Sequence, residues 1–343
     1  MQKLAIILFT LLITVAVRAQ SDREPYLTKS LSKESIRDIY ARTSGGNITV
    51  TGGAEADARI ELYIKGNNGS DLSKEEIKER LQEDYDLEVG ASGGKLTAIA
   101  KPKTFNMNWK RNLSISFKIY VPKNVSSDLS TSGGGITLTN LAGNQNFSTS
   151  GGSLNLSKLS GKVNGKTSGG SIKVQDAKDD IDLSTSGGSI DAENCGGNIE
   201  LSTSGGSITL ASLKGNIMAK TSGGTIRGTG INGELEAHTS GGSVNLKEIS
   251  GSVDASTSGG SMDIEIDQVD KYVTASNSGG NIHLTLPANK GLDLRLRGDR
   301  IRVDALSNFS GEQDDHNLNG TVNGGGADIN VKTSGSITLA FNK

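Results

Sequence analysis

Closely spaced carboxylates are the first residues in this sequence that could do chemistry. Five aspartates lie within 16 residues: Asp176, Asp179, Asp180, Asp182 and Asp191. Paired carboxylates can hydrolyse a glycosidic bond, one as general acid and the other as nucleophile or base. However, these residues fall mostly at outward positions of solvated strands, and no long loop adjoins them to wall off a cleft. We expect a charged surface that keeps the protein soluble.

Histidine and cysteine offer little for metal binding or nucleophilic catalysis. His238, His283 and His316 are far apart, and none has a ligand partner at helical spacing. Cys195 is the only cysteine, so an intramolecular disulfide cannot form. Other repeats carry Leu or Ile at its position, so we expect it to be small and buried. We predict no catalytic residue, cofactor or metal; the binding residues stay unidentified.

A calcium-binding roll is the nearest physical analogue of the repeat described below, and it needs a ladder of aspartates. The corresponding ladder here is mixed: Thr137, Asn155, Lys173, Asp191, Thr209, Arg227, Asn245 and Asp263. Lys and Arg share the ladder with only two Asp, so a row of oxygen cages cannot form. We expect no structural calcium.

Hydroxyl groups recur regularly along the chain. A Thr begins each repeat, and a Ser or Thr follows four residues later, as at Thr149 and Ser153. We expect both sets to face outward. Such ladders could match ice or contact a glycan, but Thr beside Gly-Gly is also ordinary turn chemistry, which we favour.

The element that positions all these residues is a strict repeat. Thr-Ser-Gly-Gly begins at eight positions, each 18 residues after the last: Thr131, Thr149, Thr167, Thr185, Thr203, Thr221, Thr239 and Thr257. A period this regular predicts a solenoid of stacked rungs, each burying the apolar face of its neighbour. A solenoid presents a long surface and usually acts by contact.

Apolar residues divide each rung into two strands. With the first Thr as position 0, positions 5 and 7 are mostly apolar, as at Ile172 and Val174, and so are positions 14 and 16, as at Ile181 and Leu183. Alternation of this kind is typical of half-buried strands. Positions 11 and 17 are polar, which argues against a three-sided coil. The fold class is therefore all-β, a two-sided parallel β-solenoid with 18-residue rungs, and we expect the Gly pairs to supply positive φ at the chain reversals.

The regular repeat spans residues 126–286, and each end departs from it. Residues 20–125 form an irregular N-terminal cap with one helix near 74–85, predicted by a Ser73–Glu76 capping box. Thr43-Ser44-Gly45-Gly46 begins a rung there, and Ser92-Gly93-Gly94 resembles a degenerate start. Trp109 and nearby aromatic residues gather in this cap, and a ligand pocket is the alternative to simple edge covering. Residues 287–343 form a β-rich C-terminal cap.

The chain begins with features of a secretory signal peptide over residues 1–19. Lys3 precedes an apolar stretch from Leu4 to Val17, and Ala19 offers a small-residue cleavage site. Cleavage would remove Lys3 and Arg18 and lower the net charge from −2 to −4. No later segment could span a bilayer, and no basic stripe predicts nucleic-acid binding. We expect export to the periplasm, the cell surface or the extracellular space.

The ordered set of motifs resembles the DUF4097 family. The resemblance rests on the exported start, the strand Ile119-Tyr120-Val121-Pro122, the serial Ser-Gly-Gly units and a final Thr333-Ser334-Gly335-Ser336-Ile337; it covers roughly residues 35–343. The family is a group of bacterial β-solenoids with an adhesin label, and some relatives are connected with envelope stress. The resemblance transfers no catalytic residue.

The function expected from these observations is contact rather than catalysis. We predict an exported, non-enzymatic protein, adhesin-like or associated with the cell envelope, that binds envelope polysaccharide, peptidoglycan or another surface component. A polysaccharide-active β-helix enzyme and a purely structural spacer are the alternatives.

Overall fold

The structure is a computed structural model that describes residues 24–66, 69–104, 109–304 and 308–342. The predicted signal peptide lies outside the described residues. Within them β-strands predominate, and there is a single α-helix. Among these same residues, no helix has the length and apolar character needed to cross a membrane.

The elements follow in chain order. The N-terminal strands and helix are β1 (Leu27–Ser30), β2 (Asp38–Thr43), β3 (Ile48–Gly52), β4 (Arg59–Gly66), α1 (Lys74–Asp84), β5 (Tyr85–Ser92), β6 (Lys95–Pro102) and β7 (Leu113–Val121). The regular rungs contain β8 (Ser126–Thr131), β9 (Ile136–Ala142), β10 (Gln145–Thr149), β11 (Leu154–Ser160), β12 (Val163–Thr167), β13 (Ile172–Gln175), β14 (Lys178–Thr185), β15 (Ile190–Glu193), β16 (Gly196–Thr203), β17 (Ile208–Ala211), β18 (Lys214–Thr221), β19 (Ile226–Thr239), β20 (Val244–Thr257) and β21 (Met262–Asn277). The C-terminal strands are β22 (Ile282–Pro287), β23 (Leu292–Arg297), β24 (Arg300–Val303), β25 (Phe309–Gln313), β26 (Asn317–Val322), β27 (Ala327–Thr333) and β28 (Ser336–Asn342).

The strands form two parallel stacks that share one core. In the first stack Ile190 pairs with the equivalent Ile of each neighbouring rung through β13, β15 and β17. In the second stack Ile199 does the same through β14, β16 and β18. Both residues are about 98–100% buried in the same hydrophobic cluster. The predicted β-solenoid with 18-residue rungs is confirmed.

The Thr that begins each repeat is buried, so the prediction that these residues face outward is wrong. Thr203 is 6% exposed. Its Oγ1 donates to the Gly188 carbonyl of the preceding rung at 2.8 Å and accepts from the Gly206 N–H at 3.3 Å. The same pair of bonds recurs in all eight repeats, which makes the Thr ladder an internal link between rungs and removes it as an ice-binding or glycan-binding surface.

The Gly pairs also differ from expectation. They do not adopt positive φ; that conformation occurs at position 9 of the rung, as at Asn194 (φ 53), and at position 12, as at Gly215 (φ +117). The second Gly of each pair is required for close approach instead. A Cβ on Gly206 would lie 2.0 Å from the carbonyl oxygen of Gly188.

Each end of the solenoid is closed by returning strands. At the N-terminal end, β2 lies between β6 and β8, and β3 lies between β7 and β9. The rung that comes first in the sequence is therefore the second rung counted from this end of the solenoid. At the C-terminal end, β27 and β28 insert in the same way between β21/β22 and β23/β24. Antiparallel strands then cover three of the outer edges. At the N-terminal end, β4 pairs with β7 and β1 pairs with β4, while β5 pairs with β6. At the C-terminal end, β26 pairs with β23 and β25 pairs with β26.

Two details of the N-terminal cap follow from its sequence. Helix α1 begins after Ser73, whose Oγ accepts from the Glu76 N–H at 3.1 Å, and it ends one residue before the predicted Tyr85. Ser92-Gly93-Gly94 is not a rung start. Gly93 and Gly94 have φ of 62 and 85 and form the tight turn of the β5–β6 hairpin, where only Gly fits easily.

Candidate binding groove on the second stack

The outer surface of the second stack is concave. Two adjoining hollows of about 780 and 480 Å³ share Lys162 and extend from β2 and β6 at one end to β19 at the other. We call the outward surface of the second stack from β2 to β21 the groove face. Its floor consists of the outward residues at positions 13 and 15 of each rung.

Strand alternation puts these residues on the surface. Ile199 points into the core, so its neighbours Asn198 and Glu200 point out, and the same holds in each rung. Parallel register places equivalent side chains one rung, about 4.8 Å, apart. Asn198 Nδ2 donates to Asp180 Oδ1 at 3.0 Å, and Asn216 Nδ2 donates to Asn198 Oδ1 at 3.1 Å. The floor therefore carries an ordered line of amides and carboxylates parallel to the stacking axis.

A tyrosine between two cations lies at the N-terminal end of the groove face. The Arg42 guanidinium lies 4.5 Å from the Tyr40 ring centroid, and Lys95 Nζ lies 5.0 Å from it. Arg42 also donates to Asp128 Oδ1 at 2.8 Å. Burial disfavours the charged guanidinium, but hydrogen bonds to Asp128 and Tyr40 outweigh it and raise the pKa of Arg42. The Tyr40 ring and the Arg42 guanidinium at this end of the groove face are thus held in place by cation–π contacts and by the ion pair with Asp128.

A second tyrosine lies at the C-terminal end because the repeat lengthens there. In the register of β20 with β21, Gly251 pairs with Val269 and the next paired residues are Val253 and Val273. Strand β21 therefore has extra residues where β20 has only Ser252. Tyr272 belongs to this bulge, and its hydroxyl donates back across two rungs to Glu234 Oε1 at 2.7 Å. That hydrogen bond, with burial second, raises the pKa of Tyr272 to about 12. Tyrosines therefore bound the groove face at both ends.

The five aspartates singled out from the sequence do not assemble into one site. Asp180 and Asp182 lie on the groove face, whereas Asp191 lies on the outer face of the first stack. Asp176 and Asp179 lie at the corner of the rung with φ of 55 and 77. Asp179 there accepts a hydrogen bond from the Gly161 N–H at 2.9 Å, a structural role.

One histidine has neighbours that resemble a catalytic set. His238 Nδ1 lies 2.6 Å from Ser256 Oγ, and Nε2 lies 3.8 Å from Glu236 Oε2. However, Ser256 is in the middle of a parallel ladder, where the backbone N–H groups bond to adjacent strands. An oxyanion hole needs free, convergent donors, and this flat strand surface does not supply them. His283 and His316 lie far away, on the first stack and in the C-terminal cap.

Metal and thiol chemistry find no support in the described part of the chain. Within residues 24–66, 69–104, 109–304 and 308–342, no three His, Cys, Asp or Glu side chains are grouped to hold a metal ion. Cys195 is 3% exposed, as expected for a core residue, and its thiol donates to the Glu193 carbonyl at 3.2 Å. Burial raises the pKa of the Cys195 thiol, which disfavours the reactive thiolate.

Two described aromatic residues of the N-terminal cap have structural surroundings. Phe117 is fully buried, and Tyr120 lies under the Arg59 guanidinium, 3.9 Å from its ring centroid. Phe105 and the Trp109 side chain are outside the described residues. Sequence reasoning missed the tyrosines of the groove face. The 20-residue interval before Asn277 was the available signal for Tyr272, since an enlarged repeat implies a bulge.

Fold and groove together define a class, an all-β solenoid with an open surface groove. A comparison with protein families matches residues 58–340 to Toastrack DUF4097. The chain belongs to this family.

Comparisons with individual proteins add little. No curated protein matches the chain. Similar solved structures include a candidate cell adhesion protein from Clostridium sporogenes ATCC 15579, at 12% identity and TM-score 0.20, with 92% of this chain and 98% of that chain covered. They also include a candidate adhesin from Bacteroides fragilis NCTC 9343, at 12% identity and TM-score 0.26, with 92% of this chain and 96% of that chain covered.

Proposed function

We propose that this protein is an exported, non-enzymatic, adhesin-like binding protein whose groove face contacts a glycan of the cell envelope, such as peptidoglycan or another polysaccharide. The observation that carries the proposal is the groove itself. It is open, continuous over many rungs, and bounded by Tyr40 and Tyr272.

The chemistry of the groove floor suits a sugar chain. Amides and carboxylates such as Asn198 and Asp180 offer donors and acceptors to hydroxyl groups, and tyrosines combine an apolar ring with a polar hydroxyl. Because every rung presents outward side chains to the groove, many weak contacts can add up to useful avidity. An open face also lets a long polymer bind at any point along its length.

The alternative function is a polysaccharide-active enzyme. The specific observations that favour it are Asp180 and Asp182 on the groove face and the contact between His238 and Ser256. Against it, the groove is shallow and open to solvent, whereas hydrolysis needs two carboxyl groups held in different environments around the scissile bond.

Deletion of one rung separates these functions. Removal of residues 203–220 takes out one whole 18-residue unit and keeps the register of all others. Stability of a solenoid is roughly additive over its rungs, so the shortened protein should fold and bind glycan more weakly. The measurement is a glycan and peptidoglycan array with a parallel hydrolysis assay, and Asp191→Ala on the opposite face serves as the control.

Three outcomes are informative. Graded loss of binding in the deletion supports the proposal. Hydrolysis by the wild type that disappears in the deletion favours the enzyme. Absence of any glycan binding favours a structural spacer. Export is tested separately by mass spectrometry of the secreted or periplasmic protein, which should begin at Gln20.

A further inference from the structure

The groove face changes its electrostatic character along its length. Near the N-terminal end the lining carries both signs of charge, with Lys95 and Lys162 beside Asp38 and Asp128. From β14 to β20 the two outward columns at positions 13 and 15 contain no Lys or Arg, although Lys220, at position 17 of β18, lies on the same outward side of its strand. The two columns carry six carboxylates: Asp180, Asp182, Glu200, Glu234, Glu236 and Asp254. We call this part, from β14 to β20, the acidic segment.

Uncharged donors hold three of these carboxylates in place. Asp180 accepts from Asn198, Asp182 accepts from Asn164 at 3.3 Å, and Glu234 accepts from Tyr272. Among the residues that the structure describes, no Lys or Arg forms a salt bridge with any of the six. A cationic ligand would therefore meet positioned carboxylates without having to break an ion pair first, which lowers the cost of binding.

The direction of the groove restricts the shape of the ligand. The hollow beside the acidic segment spans β14, β16, β18 and β19, with Lys162 at its N-terminal end, so it runs parallel to the stacking axis. Its rungs are about 4.8 Å apart, which is close to the length of one sugar in an extended β-linked glycan, and every rung but that of β18 carries at least one carboxylate. A linear glycan along the axis would thus present about one sugar to each rung.

We propose that the acidic segment binds a linear glycan that carries free amino groups, an amino-sugar polymer that is at least partly deacetylated. This inference rests on the proposed function and narrows its ligand class. The ammonium groups lie against the carboxylates of β14, β16, β19 and β20, and the tyrosine bulge at Tyr272 marks the end of this segment.

The test compares oligosaccharides that differ only in the amine. Chitosan oligosaccharides and fully N-acetylated chitin oligosaccharides of equal length are titrated calorimetrically at low and high salt, and oligolysine of matched charge is the third ligand. The variant is Glu200→Gln/Glu236→Gln. The matched control, Asp191→Asn/Asp263→Asn, removes the same charge from the outer face of the first stack.

We expect chitosan oligosaccharides to bind more tightly than chitin oligosaccharides, with affinity that falls as salt increases. Two partly exposed carboxylate–ammonium contacts contribute little each, so the groove variant should lose about fivefold in affinity at low salt, and the control variant should match the wild type.

Each contrary outcome identifies what fails. Equal binding of chitosan and chitin oligosaccharides would overturn the amine preference and leave the proposed glycan function intact. Oligolysine binding as tightly as chitosan would overturn the glycan identity of the ligand, because any polycation would then suffice. Equal losses in the groove and control variants would show that net charge, rather than the acidic segment, governs binding.

Discussion

Adding one methyl group to the second glycine of a repeat should force two rungs apart. In Gly206→Ala the new Cβ would lie 2.0 Å from the Gly188 carbonyl oxygen, whereas ordinary contact begins at 3.4 Å. The rungs must therefore separate locally by more than 1 Å, roughly the difference between these distances, and ladder hydrogen bonds of about 2.9 Å cannot stretch that far. Overpacking and the loss of one or two of these bonds together should cost about 3–5 kcal/mol.

The adjacent glycine provides a control of the same chemistry. In Gly205→Ala the nearest atom to the new Cβ is the Gly187 carbonyl oxygen at 3.5 Å, an ordinary contact. Neither glycine has positive φ, so backbone strain does not enter. We expect Gly205→Ala to change stability by at most about 0.5 kcal/mol. Urea and thermal unfolding followed by circular dichroism measure both variants. Equal destabilisation by the two variants would refute the close-approach explanation.

Other predictions test the strand faces, the hydroxyl ladder, the thiol and calcium. Thr203→Val keeps the shape but leaves the Gly188 carbonyl and the Gly206 N–H without their hydroxyl partner, and should cost about 1–3 kcal/mol in a urea melt; Thr209→Val, on the exposed face of β17, should be nearly neutral. Ile190→Asp buries an unpaired carboxylate and should cost several kcal/mol, on the order of a severe core mutation. Asp191→Ala should be close to neutral, and similar melting temperatures for these two variants would contradict the assigned faces. Cys195 should resist thiol reagents in the folded protein and react on unfolding, as judged by mass spectrometry. A chelator should leave the circular dichroism spectrum and the melting temperature unchanged, and a calcium-dependent melt would contradict the sequence interpretation of the turns.

The sequence predicted the rungs and their buried columns because periodicity directly encodes stacking. Ile190 and Ile199 recur every 18 residues, and the alternation around them determines which side chains enter the core. The same alternation extends from position 16 to the next Thr, for example from Leu201 to Thr203, which places that Thr inside. Because Thr is a polar residue, a position on the surface was expected for it instead. A buried hydroxyl is tolerated when it both donates and accepts, and the backbone partners of Thr203 belong partly to another rung.

The groove face was harder to predict. Positions 13 and 15 were recognisable as outward, but which outer surface is concave depends on how the rungs bend, and no residue pattern states that. Tyr40 precedes the regular repeats, and strand β2 reaches its place only because the chain returns and inserts it between β6 and β8. Tyr272 projects toward Glu234 through a bulge whose side-chain direction the repeat length does not specify.

Comparison of the repeats with one another explains where recognition can reside. Thr and the second Gly of the motif are identical in all eight copies because each contacts the backbone of the preceding rung, and any change there moves two rungs. Position 15 of the groove face, in contrast, changes from Asn164 to Asp182, Glu200, Met218 and Glu236 over successive rungs. These side chains contribute little to stacking, so they can vary without loss of the fold. A ligand that follows the axis meets a different side chain at each step while the backbone beneath it stays the same. Selectivity can therefore be encoded rung by rung along the groove face, independently of the contacts that hold the solenoid together.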